Sequence, residues 1–288
     1  MSKKKAKNLL ANDPTRTITL RNRAVGEINR RYGQIKKLIT TSLVKNKIFL
    51  DNADALKPSD FIFLRTPEKL ERFDIWLEQI IAEIILSGST SVNNPELNWL
   101  LKYIEESYVR GSKRGNNSLA REFGRNQVPV QINPLTVPFH VERLQFLFTR
   151  DFAQLKGITE TMSQQINYEL SQGLLQGQGI KKIARNMTNR VDAIGIARSR
   201  LLARTEIVNT LNLATLNEAE LLEAQLGEEI VAIWVTSLDG RERPTHRSRD
   251  NRYYSIEKVS TLIGEPNCRC AVELVPINRV PEGVSVIR

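Results

Sequence analysis

Val25, Ile28, Tyr32, Ile35 and Ile39 recur at three- and four-residue steps, with Arg30, Arg31, Lys36 and Lys37 between them. That spacing predicts an amphipathic helix with a basic outer face. Thr66-Pro67-Glu68 supplies an N-cap, a proline at the first helical position and an early acid. Leu70, Phe73, Leu77, Ile80, Ile81 and Ile84 then form one stripe that stops at Gly88. Asn94-Pro95-Glu96 repeats the start signal, and Leu97, Leu100, Leu101, Ile104 and Tyr108 carry a second helix to a stop at Gly111. The pair reads as a helical hairpin whose stripes are core.

Between residues 111 and 138 the pattern dissolves into Gly111, Gly115, Asn116, Asn117 and Gly124, then Pro129, Pro134 and Pro138. This is the expected domain boundary, and residues 128–139 should be extended, as an arm or an edge strand, because proline removes a ladder donor and biases its predecessor away from helix. From His140 the helical period returns. One helix runs to about Gln176 and is broken by Gly177-Gln178-Gly179; a short second helix carries Ile180, Ile183, Ala184 and Met187; a third begins near Asp192 and runs toward Gly227. Short β-branched runs at 230–235 and 271–275 read as strands. The fold class is α+β: a mostly helical N-terminal region, and helices packed on a small antiparallel sheet in the C-terminal half. The divisions are a basic arm and helix over 1–50, the hairpin over 51–111, a Gly/Pro-rich linker or arm over 112–139, a body over 140–276 and a tail over 277–288.

Charge changes the picture at one end. The formal net charge is +10, but residues 1–50 hold 13 Lys or Arg against 2 Asp or Glu, so everything from Asp51 onward is nearly neutral. A basic arm is drawn to phosphate polyanions or acidic protein surfaces. Its candidate contacts are Arg21, Arg23, Arg30, Arg31, Lys36 and Lys37. A solvated helix face is the plainer reading of these charges, and no base-reading motif accompanies them. The N-terminus lacks the apolar stretch of a secretory signal, and the most apolar windows are too short to span a bilayer, so a protein made in the cytoplasm is expected.

The residues with chemical potential lie between Trp234 and Cys270: Asp239, Arg241, Arg243, His246, Asp250 and the only two cysteines, Cys268 and Cys270. On extended backbone, residues two apart share a face, so both thiols project together while Arg269 points away. Strand pairing can bring His246 beside them, and with Asp239 as a fourth ligand the count suits tetrahedral zinc. Cys-x-Cys is not the usual Cys-x-x-Cys knuckle, however, and the plainer reading is two buried small hydrophobes beside a structural histidine. A disulfide between them is disfavoured. No Walker-type phosphate loop and no assembled Ser-His-Asp set occurs, so catalysis is the minority reading.

The C-terminal half resembles the phage Mu F-like minor head protein family, also called the phage head morphogenesis family. The resemblance rests on Gly177-Gln178-Gly179-Ile180 with Ile183-Ala184; on Ala203-Arg204-Thr205-Glu206 with Asn209 and Ala214; on Trp234, Thr236, Asp239, Arg241, Arg243 and His246; and on Pro266-Asn267-Cys268-Arg269-Cys270, over about residues 140–276. It departs from the family pattern at Arg247-Ser248-Arg249-Asp250-Asn251-Arg252, which is highly charged. The resemblance implies a non-catalytic minor capsid protein of the virion, inside the procapsid near the portal, with portal, capsid or scaffold proteins and packaged double-stranded DNA as partners. Arg204 and Glu206 are expected to form an internal ion pair that fixes their helix against the Trp234 strand. The competing expectation is a zinc-dependent, nuclease-like enzyme using His246, Cys268 and Cys270.

Overall fold

The computed structural model describes residues 13–45, 67–86, 99–129 and 133–288. Among the described residues five long helices come first: α1 (Ile18–Thr40, followed by a π turn at Thr41–Lys45), α2 (Pro67–Leu86), α3 (Leu101–Phe123), α4 (Pro138–Leu175) and α5 (Ile180–Leu226). Strand β1 (Ile230–Val235), the short helix α6 (Pro244–Arg247), β2 (Tyr253–Ser255), α7 (Ile256–Ser260), β3 (Ala271–Pro276) and β4 (Val286–Ile287) complete the chain. The α+β class is the one expected. The sheet runs β3-β1-β2-β4 and is mixed, because β4 lies parallel to β2 while the other pairs are antiparallel. Lys3, Lys4, Lys5 and Lys7, the Thr66 cap and the turn expected over 87–98 fall outside the described residues.

The chain divides into two compact units, one of Met1–Ala24, Trp99–Thr149 and Leu201–Arg288, the other of Val25–Asn98 and Arg150–Arg200. The two helices expected to pair as a hairpin, α2 and α3, fall in different units. In the second unit the stripes predicted on α1 and α2 are core: Ile28, Ile35, Ile39, Leu77 and Ile81 are buried with Met162, Ile166 and Met187. Arg31 of α1 donates to the Ile84 carbonyl near the end of α2, which satisfies one of the acceptors a helix end leaves open. The break expected between Met187 and Asp192 does not occur, and α5 is continuous over 47 residues. Thr188, Asn189 and Arg190 are tolerated inside a helix, and the Asp192 carboxylate takes Lys36 Nζ at 2.7 Å.

The first unit corrects the expected stop at Gly111. Helix α3 passes straight through Gly111 and Gly115 to Phe123. Both glycines are there for contact with α5: a Cβ at 111 would sit 2.2 Å from the Leu211 carbonyl oxygen, and one at 115 would sit 2.8 Å from Glu218 Cβ. The helical cost of glycine is accepted because it lets two backbones approach closely. At that crossing Thr215 Oγ1 donates to the Gly111 carbonyl and Ser107 Oγ to the Ile207 carbonyl. Deeper in, the Tyr108 hydroxyl lies 3.0 Å from His140 Nδ1 and accepts from Asn217, and Ser112 donates to Glu218. The described parts of 128–139 form no strand. Pro134 opens a 3₁₀ turn capped by Asn133, and Pro138 opens α4, the position at which a missing N–H costs nothing.

The sheet packs its inner face on α3 and α5. Leu119, Leu216, Ala219 and Leu222 meet Ile230, Ala232, Trp234, Val272 and Leu274, with Cys268 and Cys270 in the same cluster. Trp234 therefore joins the helical layer to the loops that carry the site. Gly111→Val is expected to lower stability by about 2–3 kcal/mol, since backbone rather than a flexible side chain must move. Gly33→Ala, with nothing within 4 Å of the added carbon, is expected to raise it by about 0.5–1 kcal/mol. Urea unfolding followed by circular dichroism reads both signs.

Candidate functional site

Beyond β1 the chain folds back on its own last residues. The Trp234 indole donates to Thr236 Oγ1 at 3.1 Å, and that hydroxyl donates to the His246 carbonyl at 2.9 Å. The Thr236 N–H donates to Asp250 Oδ1 at 2.7 Å, so both ends of the 236–250 loop are tied to the strand. Pro244 starts the single turn α6, which carries His246 inward with its ring edge-on to Trp234 at a centroid distance of 5.6 Å. Asn251 takes φ 58°, a left-handed conformation asparagine tolerates, and returns the chain to β2. The charged stretch after the histidine is largely spent locally: Arg247 pairs with Glu242 and Arg249 with Glu265.

The second half of the site is the segment before β3. The period-two expectation holds, because Cys268 and Cys270 turn inward together while Arg269 turns away to Asp239. Both thiols are free and buried. His246 Nδ1 lies 3.3 Å from Cys270 Sγ and 3.5 Å from Cys268 Sγ, and its Nε2 lies 2.9 Å from Glu265 Oε2. An ionised carboxylate only accepts, so Nε2 carries a proton, and in the neutral ring this leaves the Nδ1 lone pair facing the sulfurs. The thiols share one hydrogen-bonding system: the Cys270 thiol and its N–H, at 3.3 Å, hold the Cys268 thiol below its ordinary range, while Cys268 and burial push Cys270 up. Against the upward push of burial, hydrogen bonds from His246 and Arg249 keep the Glu265 carboxyl low.

Helix α5 holds this segment in place. Asn212 donates to the Cys270 carbonyl at 3.0 Å and accepts from the Val272 N–H at 3.3 Å. Thr205 Oγ1 accepts from the Asn267 N–H at 2.9 Å, and Arg204 donates to Asn267 Oδ1 at 2.8 Å. Gly264, at φ 85°, lies where a Cβ would come within 2.9 Å of Asn209 Oδ1. The expected pairing of Arg204 with Glu206 is replaced by the Asn267 contact. Two residues apart on a helix, these side chains do not share a face, and Glu206 is buried while Arg204 reaches the loop.

The other anticipated residues have different neighbours. Asp239 is not in the His-Cys-Cys grouping; Arg269 and Arg241 clasp its carboxylate. Arg243 bonds Glu265 and the Pro266 carbonyl. Of the basic candidates, Arg21 is buried against Asp13, Arg23 pairs with Glu106, Arg30 and Arg31 pair with Glu27 and Lys36 with Asp192, while Lys37 is exposed. Sequence reasoning missed Glu265 and Asn212. Both lie beside motif residues, Glu265 directly before the Pro-Asn-Cys-Arg-Cys run and Asn212 three residues past Asn209, but only the fold aims them at the histidine and the cysteine backbone.

What this arrangement can do follows from donor type and access. A nitrogen and two sulfurs converge in a buried place, and the space beside them is a cavity of about 10 Å³ lined by Thr205, Asn209, Trp234, Gly264 and both cysteines. That is room for one water at most. Residues 164–273 match the family model described as Phage Mu protein F like protein. No curated protein and no solved structure matches the chain.

Arg269 holds the Asp239 carboxyl well below the usual carboxylate range, with Arg241 adding to it. A lowered folded pKa stabilises above the unfolded value of about 4 and stops doing so as pH falls through the folded value. Asp239→Asn is therefore expected to cost about 1–3 kcal/mol at neutral pH. The gap from wild type should shrink on acidification below about pH 4, as read from urea midpoints across pH.

Proposed function

We propose, from the premise that residues 164–273 are a Phage Mu protein F-like segment of a phage head morphogenesis protein, that the chain is a non-catalytic minor head protein. It sits at the portal vertex inside the procapsid and contributes to capsid assembly or to DNA packaging and ejection. The family match carries this reading. Two physical observations support the non-catalytic part. The site's polar groups are engaged with one another, and the small cavity beside the thiols leaves no room for a substrate. A nuclease would need hard oxygen or nitrogen ligands open to a phosphodiester, where this grouping offers two soft sulfurs in a closed place. Among the described residues no helix is long and apolar enough to cross a membrane.

Double-stranded DNA is the partner we assign to the basic side of the first unit. An open cleft of about 670 Å³ is lined by Arg16, Arg110, Lys113, Arg114 and Arg121, with Asp13 and Glu273 as its two carboxylates. Asp13 is committed to Arg21 and Glu273 to Arg114. Arg16 and Lys113 are exposed, and neither side chain has an ion-pair partner among the described residues. The cleft thus keeps a positive surplus, whereas most of the α1 cations are spent on internal pairs. Lys3, Lys4, Lys5 and Lys7 precede Asp13 in the sequence and add to the positive charge of the first fifty residues.

Arg16→Glu with Lys113→Glu is expected to weaken filter-bound DNA at least tenfold at low salt and to reduce the slope of log K against log salt by about two. Binding to purified portal should be unchanged. Loss of portal binding with DNA binding intact would move the partner to protein, and absence of the chain from cross-linked procapsids would overturn the head assignment.

A further inference from the structure

We propose that His246, Cys268 and Cys270 bind one zinc ion through Nδ1 and both sulfurs, that Glu265 positions the histidine, and that the ion locks α6 to the loop before β3. A tetrahedral zinc with sulfur at about 2.3 Å and nitrogen at about 2.0–2.1 Å sets its ligands apart by about 3.5 Å for nitrogen to sulfur and about 3.8 Å for sulfur to sulfur. The observed nitrogen-to-sulfur separations are 3.3 and 3.5 Å, and all three donor atoms lie within 4.8 Å of one another. Both nitrogen-to-sulfur separations are those of two ligands on one tetrahedral ion.

The orientation of the ring argues as strongly as the distances. A histidine that merely filled core would have no need of a carboxylate on one nitrogen and two sulfurs on the other. Glu265 fixes the proton on Nε2 and makes Nδ1 a donor of its lone pair, the carboxylate–histidine–metal arrangement that orients ligands and raises their basicity. Glu265 is itself held by Arg243 and Arg249. The Cys270 N–H pointing at Cys268 Sγ, at 3.3 Å, is a contact that stabilises a thiolate, the form in which cysteine ligates. Two thiolates balance the charge of a divalent ion, and soft sulfur with imidazole selects zinc over magnesium, calcium or manganese. Asp239 is excluded as the fourth ligand by its two arginines. The fourth position is left to one water, for which the adjoining cavity has room.

The three ligands come from segments otherwise joined by few regular hydrogen bonds: α6 of one turn and an irregular loop. An ion there ties chain positions 22 and 24 residues apart. This inference does not rest on the head assignment and is tested without it.

The test uses the full chain purified without chelator. Elemental analysis is expected to give one zinc per chain in wild type and less than a tenth of that in Cys268→Ser with Cys270→Ser. Glu265→Gln should keep the stoichiometry at saturating zinc while binding 10- to 100-fold more weakly in a competition with a chromogenic chelator. Because a ligand variant can fail to fold, wild type stripped by chelator is also titrated with Co²⁺. The expected signature is thiolate-to-cobalt charge transfer together with the visible bands of a tetrahedral site, saturating at one equivalent. Wild type that neither carries zinc nor develops those bands overturns the proposal. So does zinc that persists in the double cysteine variant, or a different metal at unit stoichiometry.

Discussion

Side chains of α5 hydrogen-bond the backbone of an irregular loop that buries two cysteines, and the C-terminal half depends on that contact. The segment from Gly264 to Cys270 belongs to no strand or helix, yet it buries Cys268 and Cys270, and where it enters the interior every unpaired N–H or carbonyl is costly. Asn212 serves both a donor and an acceptor on either side of Ala271, and Thr205 takes the N–H of Asn267. A rigid helix thereby fixes where Glu265, Cys268 and Cys270 stand. The residues that look like two separate signatures in the sequence, Ala203–Asn209 and Pro266–Cys270, are two sides of one contact.

The helix that supplies those groups is itself placed by close approach. Gly111 and Gly115 bring α3 so close to α5 that a Cβ at either would clash, and hydroxyls of Ser107 and Thr215 fill the contact with hydrogen bonds. Apolar packing alone would not specify this register. A satisfied polar network through Tyr108, His140, Asn217, Glu218 and Ser112 excludes sliding, because a shift by one turn would strand several buried polar groups at once. The sheet then rests on a surface whose geometry is already set.

Charge is used economically in this chain. Arginine serves as internal mortar: Arg114 reaches the Val272 and Pro14 carbonyls and Glu273, Arg243 holds Glu265 and Pro266, and Arg269 holds Asp239. Guanidinium suits this because it offers five donors in a planar fork. Arg16 and Lys113, exposed and without an ion-pair partner among the described residues, stand at the cleft formed by α3 and the Asp13–Arg16 turn. A net charge is therefore a poor guide to where a polyanion touches, since many of the cations behind it are already occupied.

The apolar period determined α1, α2, the breaks at Gly177 and Gly227, and strands β1 and β3, because those elements are fixed by one buried face each. The period-two rule likewise put both thiols on one side. The sequence misled where a residue's local preference and its contact disagree: glycine at 111 reads as a stop and is a helix crossing, prolines at 134 and 138 read as extended chain and are helix starts, and the helix start expected near Asp192 lies inside α5, where Asp192 is an ion-pair partner. The convergence of His246 with the cysteines, the aim of Glu265 and the replacement of Arg204–Glu206 pairing by Asn267 were decided only in three dimensions. They join residues 19 to 63 apart, and no local propensity carries information about which of many distant polar groups will meet.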